Sequence, residues 1–262
     1  MSGLLLLKLT LVPLLIGAVT EAGRRWGAGL AGFLAGLPII VGPILGLLAW
    51  EQGKGFAADA AIGALAAVPA STAFALAYAR TAVRHDWPLA QAVAMLSWAA
   101  AAALVLLIKP GDGLALLLGL AAVIALPSLF PHGAANASKP GQPMLAWRML
   151  AGALLTLGIT LAASSLGPLV SGLLALFPVM MSVMAIASQR REGALFAARL
   201  LEGMVRGMIS VVAFCATLAL LLPHLGAVGA FTLATIASVL AHLGRAQYSR
   251  WRLAARAAFN QG

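Results

Sequence analysis

Apolar residues run along this chain in long blocks, separated by short turns rich in glycine, proline or charge. The blocks predict nine spans, at about 3–20, 27–50, 56–79, 87–108, 112–130, 143–163, 166–188, 194–222 and 226–243. Most approach the roughly 20 residues that an α-helix needs to cross a bilayer core of about 30 Å. The interruptions read EAGRRW, EQGKG, RTAVRHD, KPGDG, PHGAANASKPGQP and QRREG. SSLG at 164–167 carries no charge and marks the faintest boundary. A transmembrane β-barrel is excluded, because its strands would alternate polar and apolar residues.

Composition agrees with an all-α, polytopic membrane protein. Of 262 residues 62% are hydrophobic and 9% charged, with a mean hydropathy of +1.01, far from a soluble domain. The net charge of +10 therefore belongs to orientation and lipid headgroups, not to a nucleic-acid surface. With the N-terminus periplasmic, twelve basic residues flank the cytoplasmic side: Arg24, Arg25, Arg80, Arg84, Lys139, Arg148, Arg190, Arg191, Arg245, Arg250, Arg252 and Arg256. Three, Lys8, Lys54 and Lys109, flank the other side. The positive-inside rule then predicts a cytoplasmic C-terminus, with the basic, aromatic segment after His242 on anionic headgroups. The single cysteine, Cys215, forms no intramolecular disulfide. Residues 3–19 are apolar but lack the preceding positive charge of a signal peptide.

The chain also resembles itself. Shifted by 140 positions, Thr20 falls on Thr160, Gly27 on Gly167, Gly32 on Gly172, Pro38 on Pro178, Gly53 on Gly193 and Gly63 on Gly203. Phe56-Ala57-Ala58 falls on Phe196-Ala197-Ala198, and Ala73-Phe74 on Ala213-Phe214. Five predicted spans separate equivalent positions, and an odd number reverses direction. The expected organisation is a four-helix repeat at 1–108, a connector helix and loop at 109–142, an inverted repeat at 143–243 and a basic tail at 244–262. Inverted repeats are a transporter signature, because they let one fold open to either side.

Each copy carries a Gly/Ala-rich helix reaching a mid-span proline (GFLAGLPIIVGP, SGLLALFPVMMS), a short loop ending in glycine (EQGKG, QRREG) and a helix with an internal glycine. This pattern resembles the GlpM-like family of small bacterial inner-membrane proteins, in internally duplicated form. The resemblance implies a bacterial inner membrane and a link to exopolysaccharide production, and it brings no site residues.

Candidate chemistry lies in the spans. Pro38 and Pro178 remove backbone donors mid-span, so their helices should break and leave carbonyls to be satisfied by protein or a wet cavity. Ser182 follows the second break. Arg199, Glu202 and Arg206 share one face of the eighth span. Arg206 falls near mid-bilayer, where an ionisable group should face the bundle interior or a cavity. Glu202 can pair with either arginine and leave the other for a phosphate or carboxylate. Asp59, opposite Arg199 in the repeat, is a candidate proton carrier or a solvated acid at a helix start.

The Gly32/Gly36, Gly42/Gly46 and Gly203/Gly207 pairs suit close helix packing, with a homodimer contact as the alternative. The four histidines show no metal-ligand spacing, and no phosphate-binding Gly-rich loop or paired catalytic residues are present. No cofactor, metal or enzyme activity is expected. The sequence thus points to a secondary transporter or flippase for a small anion or phosphate-headed lipid. A scaffold subunit of an envelope polysaccharide system, or a channel, is the alternative.

Overall fold

The computed structural model describes Leu14, residues 38–131 and residues 145–259. The span predicted at 3–20 apart from Leu14, the first part of 27–50 and the loop at 132–142 lie outside the described residues. So do Lys8, Arg24, Arg25 and Lys139. The described elements are α1 (Val41–Glu51), α2 (Lys54–Ala82), α3 (Trp87–Ile108) and α4 (Asp112–Ala125), which ends in a 3-10 turn at Leu126–Leu129. After the loop come α5 (Leu145–Ala175), α6 (Val179–Glu192), α7 (Ala194–Gly207), α8 (Ile209–Leu221) and α9 (Ala227–Phe259). No strand occurs among the described residues.

Among the described residues six stretches are long and apolar enough to cross a membrane: Lys54–Ala82, Trp87–Ile108, Asp112–Leu129, Ser165–Glu192, Ala194–Leu221 and Ala227–Gln247. The chain is a multi-pass α-helical membrane protein. Two stretches contain breaks. α5 and α6 are separated at Leu176–Pro178, and α7 and α8 at Met208. The sequence predicts the first from its proline; the second has none. α9 runs on to Phe259, so the segment predicted as a tail continues a helix over its described part.

Glycine makes the tightest corners. Gly53, Gly167 and Gly193 hold φ of 91°, 74° and 93° with ψ of 167°, 169° and 169°. Only glycine adopts that region without strain. Gly53 and Gly193 stand at the N-termini of α2 and α7. Gly167 bends α5 at the faint boundary, with Pro168 opening the next turn.

α2 is the hub. It packs against every other described helix except α9, and 72% of its apolar window is buried, against 17% for α9. Alanines 57, 58, 60, 61, 64, 66, 67 and 70 are all buried along it, and such small side chains let backbones approach closely. The closest approach is to α5. A Cβ placed on Gly172 would fall 1.8 Å from the Ala60 carbonyl oxygen, and one on Gly63 would fall 2.4 Å from that of Leu169.

Two side-chain contacts fix direction. Gln189 donates to the His85 carbonyl at 2.9 Å, so the turns after α2 and α6 share one end of the bundle. Gly46 and Trp50 share a groove with Phe231, so the turns before α2 and α9 share the other. α2 runs from the second end to the first, and α7–α8 runs back. Local geometry recurs at an offset of 140 residues. Gly42 donates to Pro38 at 2.8 Å and Ser182 to Pro178 at 2.9 Å. Ala57 donates to Gly53 and Ala197 to Gly193, both at 3.2 Å. His85 donates to Thr81 at 2.9 Å and Leu225 to Leu221 at 2.8 Å. Ala90 donates to Asp86 at 3.1 Å and Ala230 to Gly226 at 3.0 Å.

Candidate functional site

The break before α6 is held by a polar latch. Pro178 has no N–H, and the Val179 N–H turns to the Phe177 carbonyl at 2.8 Å instead of continuing the ladder. Partners from α2 and α3 cover the interruption. Ser71 Oγ donates to the Leu176 carbonyl at 2.9 Å. Ser182 Oγ donates to the Pro178 carbonyl at 2.8 Å and accepts from Gln91 Nε2 at 3.0 Å. The Trp98 ring meets Phe177 edge-on, with centroids 4.8 Å apart. Toward the chain turns, Tyr78 Oη donates to Gln189 Oε1 at 2.8 Å, and Arg190 lies 5.9 Å from the Trp87 ring centroid.

Two polar atoms of this latch are buried without a hydrogen-bond partner among the described residues, Gln91 Oε1 and Trp98 Nε1. Trp98 is only 8% exposed. An acceptor and a donor left unpaired in a low-dielectric interior are costly. They leave the latch incompletely satisfied.

Around Pro38, 140 residues earlier, the corresponding positions are apolar. At the 140-residue offset Phe231 stands for Gln91, Gly42 for Ser182, Leu218 for Tyr78 and Ala49 for Gln189. An open groove of about 480 Å³ lies there, lined among others by Pro38, Gly42, Gly46, Trp50, Phe214 and Phe231, with Thr235 at its edge. Phe214 and Phe231 pack edge-to-face at 6.1 Å. Gly42 and Gly46 leave room for these rings. Of the sequence's GxxxG pairs, this one therefore serves packing within the chain.

The third feature is a charged cluster at the α7–α8 break. Glu202 and Arg206 form an ion pair one turn apart, with side chains 14% and 46% exposed. The Arg206 carbonyl, next to the break, accepts from Arg245 Nη1 on α9, as basic side chains commonly cap helix C-termini. Among the described residues the cluster holds one carboxylate, Glu202, and two guanidiniums, Arg206 and Arg245, an excess of one positive charge. Ser238, fully buried on α9 with Oγ unpartnered among the described residues, lies between Arg245 and the groove.

The predicted residues thus divide among three places. Pro178 and Ser182 belong to the latch, Pro38 to the groove, and Glu202 with Arg206 to the cluster. Arg199 is exposed on α7, and Asp59 is exposed near the start of α2 in neither cluster nor groove. Sequence reasoning missed Gln91, Trp98, Tyr78, Gln189 and Arg245. Gln91 carried a usable signal, a lone amide inside an apolar span. Among the described residues no group of three or more His, Cys, Asp or Glu could hold a metal ion.

Comparison of the chain with protein-family models, with curated proteins and with solved structures returns no match.

Proposed function

We propose that this chain is a secondary transporter or flippase that moves an anionic substrate, a small anion or a phosphate-headed lipid, by alternating exposure of a midplane route. It comprises nine spans in two inverted repeats joined by a connector. The observation that carries the reading is the unequal surroundings of two prolines 140 residues apart, Pro178 at a break closed by a latch and Pro38 beside an open groove. In an inverted pair the latched and open ends exchange when the repeats rock against each other. The recurrence of hydrogen bonds at an offset of 140, and the opposite courses of α2 and α7–α8, support that symmetry. The positive excess around Arg206 supports an anionic cargo. The GlpM-like resemblance and the distribution of basic residues extend the proposal to a bacterial inner membrane, with a periplasmic N-terminus and a cytoplasmic C-terminus.

The test is flux through the purified full chain in proteoliposomes. The probes are radiolabelled inorganic phosphate and a short-chain fluorescent phosphatidic acid. Cysteines replace Tyr78 and Gln189 in a Cys215→Ala background, and a cleavable bifunctional thiol reagent joins them. The proposal expects saturable flux of at least one probe, arrest on cross-linking and recovery on cleavage. Flux no faster than in protein-free vesicles for both probes, or indifferent to the cross-link, overturns it.

A further inference from the structure

We infer that the groove and the arginine cluster are two parts of one site for a phosphate-headed lipid, with an acyl chain in the groove and the phosphate at Arg206 and Arg245. The inference rests on the transport reading above and names its substrate class. Phe231, Thr235, Ser238, His242 and Arg245 follow one another on α9 at spacings of four, three, four and three, which places them along one face of the helix. That face begins in the groove and ends at the Arg206 carbonyl. From Thr235 to Arg245 the rise is about 15 Å, at roughly 1.5 Å per residue. Apolar lining lies at one end of the stripe, positive charge at the other, and a buried hydroxyl at Ser238 between them.

Each part excludes a simpler occupant. The groove's lining, Thr235 apart, is apolar, so a free hydrated anion would lose its water there without replacement hydrogen bonds. A neutral apolar molecule would leave the cluster's excess charge unanswered. A molecule with both an acyl chain and a phosphate matches both ends. The groove also lies between α1 and the most peripheral of the described spans, since only 17% of α9's apolar window is buried, and Trp50 at its mouth is 80% exposed. Access is therefore sideways, from the bilayer. Arg206 and Arg245 supply a fork of N–H donors suited to phosphate oxygens.

The experiment places a photoactivatable benzophenone amino acid at Thr235 of the full chain, in membranes and in nanodiscs containing phosphatidic acid. The adducts are identified by mass spectrometry. The inference expects a phospholipid adduct that is reduced about tenfold or more by Arg206→Gln with Arg245→Gln, the fall expected of losing one charge-assisted hydrogen bond. Arg245→Lys with native Arg206 should retain most of it. Gly46→Leu, whose Cβ meets Phe231 only at ordinary contact distance, should fill the groove and abolish the adduct while the protein keeps its elution volume and melting temperature. An adduct with residues 1–37 or with a second copy shows a different occupant and overturns the inference. A lipid adduct indifferent to all these variants shows annular lipid only and does the same. A rise in melting temperature with millimolar inorganic phosphate, in the absence of any lipid adduct, shows an ion site and also overturns it. A variant-sensitive lipid adduct without flux retains the site and removes the transport reading; phosphate flux without the adduct does the reverse.

Discussion

Pro38 and Pro178 share one kind of backbone hydrogen bond and differ in what surrounds it. Pro38 and Pro178 each accept from the amide four residues on, and each segment ends at a glycine corner of nearly identical dihedrals. From Pro178 along α6 five side-chain hydrogen bonds tie α2, α3 and the turn between them to α6 and the residues before it, through Ser71, Tyr78, Gln91 and Gln189. Around Pro38 the counterparts of Gln91 and Tyr78 are Phe231 and Leu218, and an apolar groove lies beside it. The comparison separates two roles. The break at Pro178 follows from the missing N–H of proline. What ties it is contributed by α2 and α3, and the described residues beside Pro38 offer no such ties.

The largest effect should come from overpacking one half and not the other. Gly172→Ala drives a methyl group into the Ala60 carbonyl and should destabilise by about 3 kcal/mol, since a packed backbone cannot give way. Gly42→Ala meets the Phe214 ring at 3.5 Å, an ordinary contact, and should be neutral to about 1 kcal/mol stabilising through helix propensity. Thermal unfolding in detergent micelles compares them. Equal losses would mean that the groove beside Pro38 is packed as tightly as the α2–α5 contact.

A smaller effect should separate the latch into its partners. Ser182→Ala leaves the Gln91 amide facing an apolar wall and should cost about 1–3 kcal/mol. Adding Gln91→Leu, which brings the position closer to its apolar counterpart Phe231, should return most of that loss. A double-mutant cycle on the same melts measures the coupling. Strictly additive losses would remove the hydrogen bond from the account.

Much of the fold was legible because lipid leaves a helix few choices. The span read at 87–108 has those bounds in the structure, where Asp86 precedes it in an extended conformation and Lys109 ends it in the left-handed region. The break at Pro178 was legible for the same reason, since a missing N–H shows in the sequence. The break at Met208 was not, because no proline or polar run marks it; the structure shows it as a turn at Met208, with the Arg206 carbonyl capped by an arginine 39 residues later. Gln189 was read as part of the turn QRREG. α6 continues through Glu192 and carries Gln189 to Tyr78, a contact that depends on how two distant helices cross. Arg206 and Glu202 were placed together by their spacing of four, whereas Arg245 required the whole length of α9 to reach them.

The claim that the two breaks are alternative states of one contact is tested most directly by distance. Spin labels pair Tyr78 with Gln189 across the latch, and Trp50 with Ala227 across the groove, in a Cys215→Ala chain reconstituted in bilayers and measured by pulsed electron resonance. The account predicts that the substrate lipid shifts the two pairs in opposite senses, one lengthening in the population where the other shortens. A single unchanging distance at both ends, with and without lipid, would contradict it.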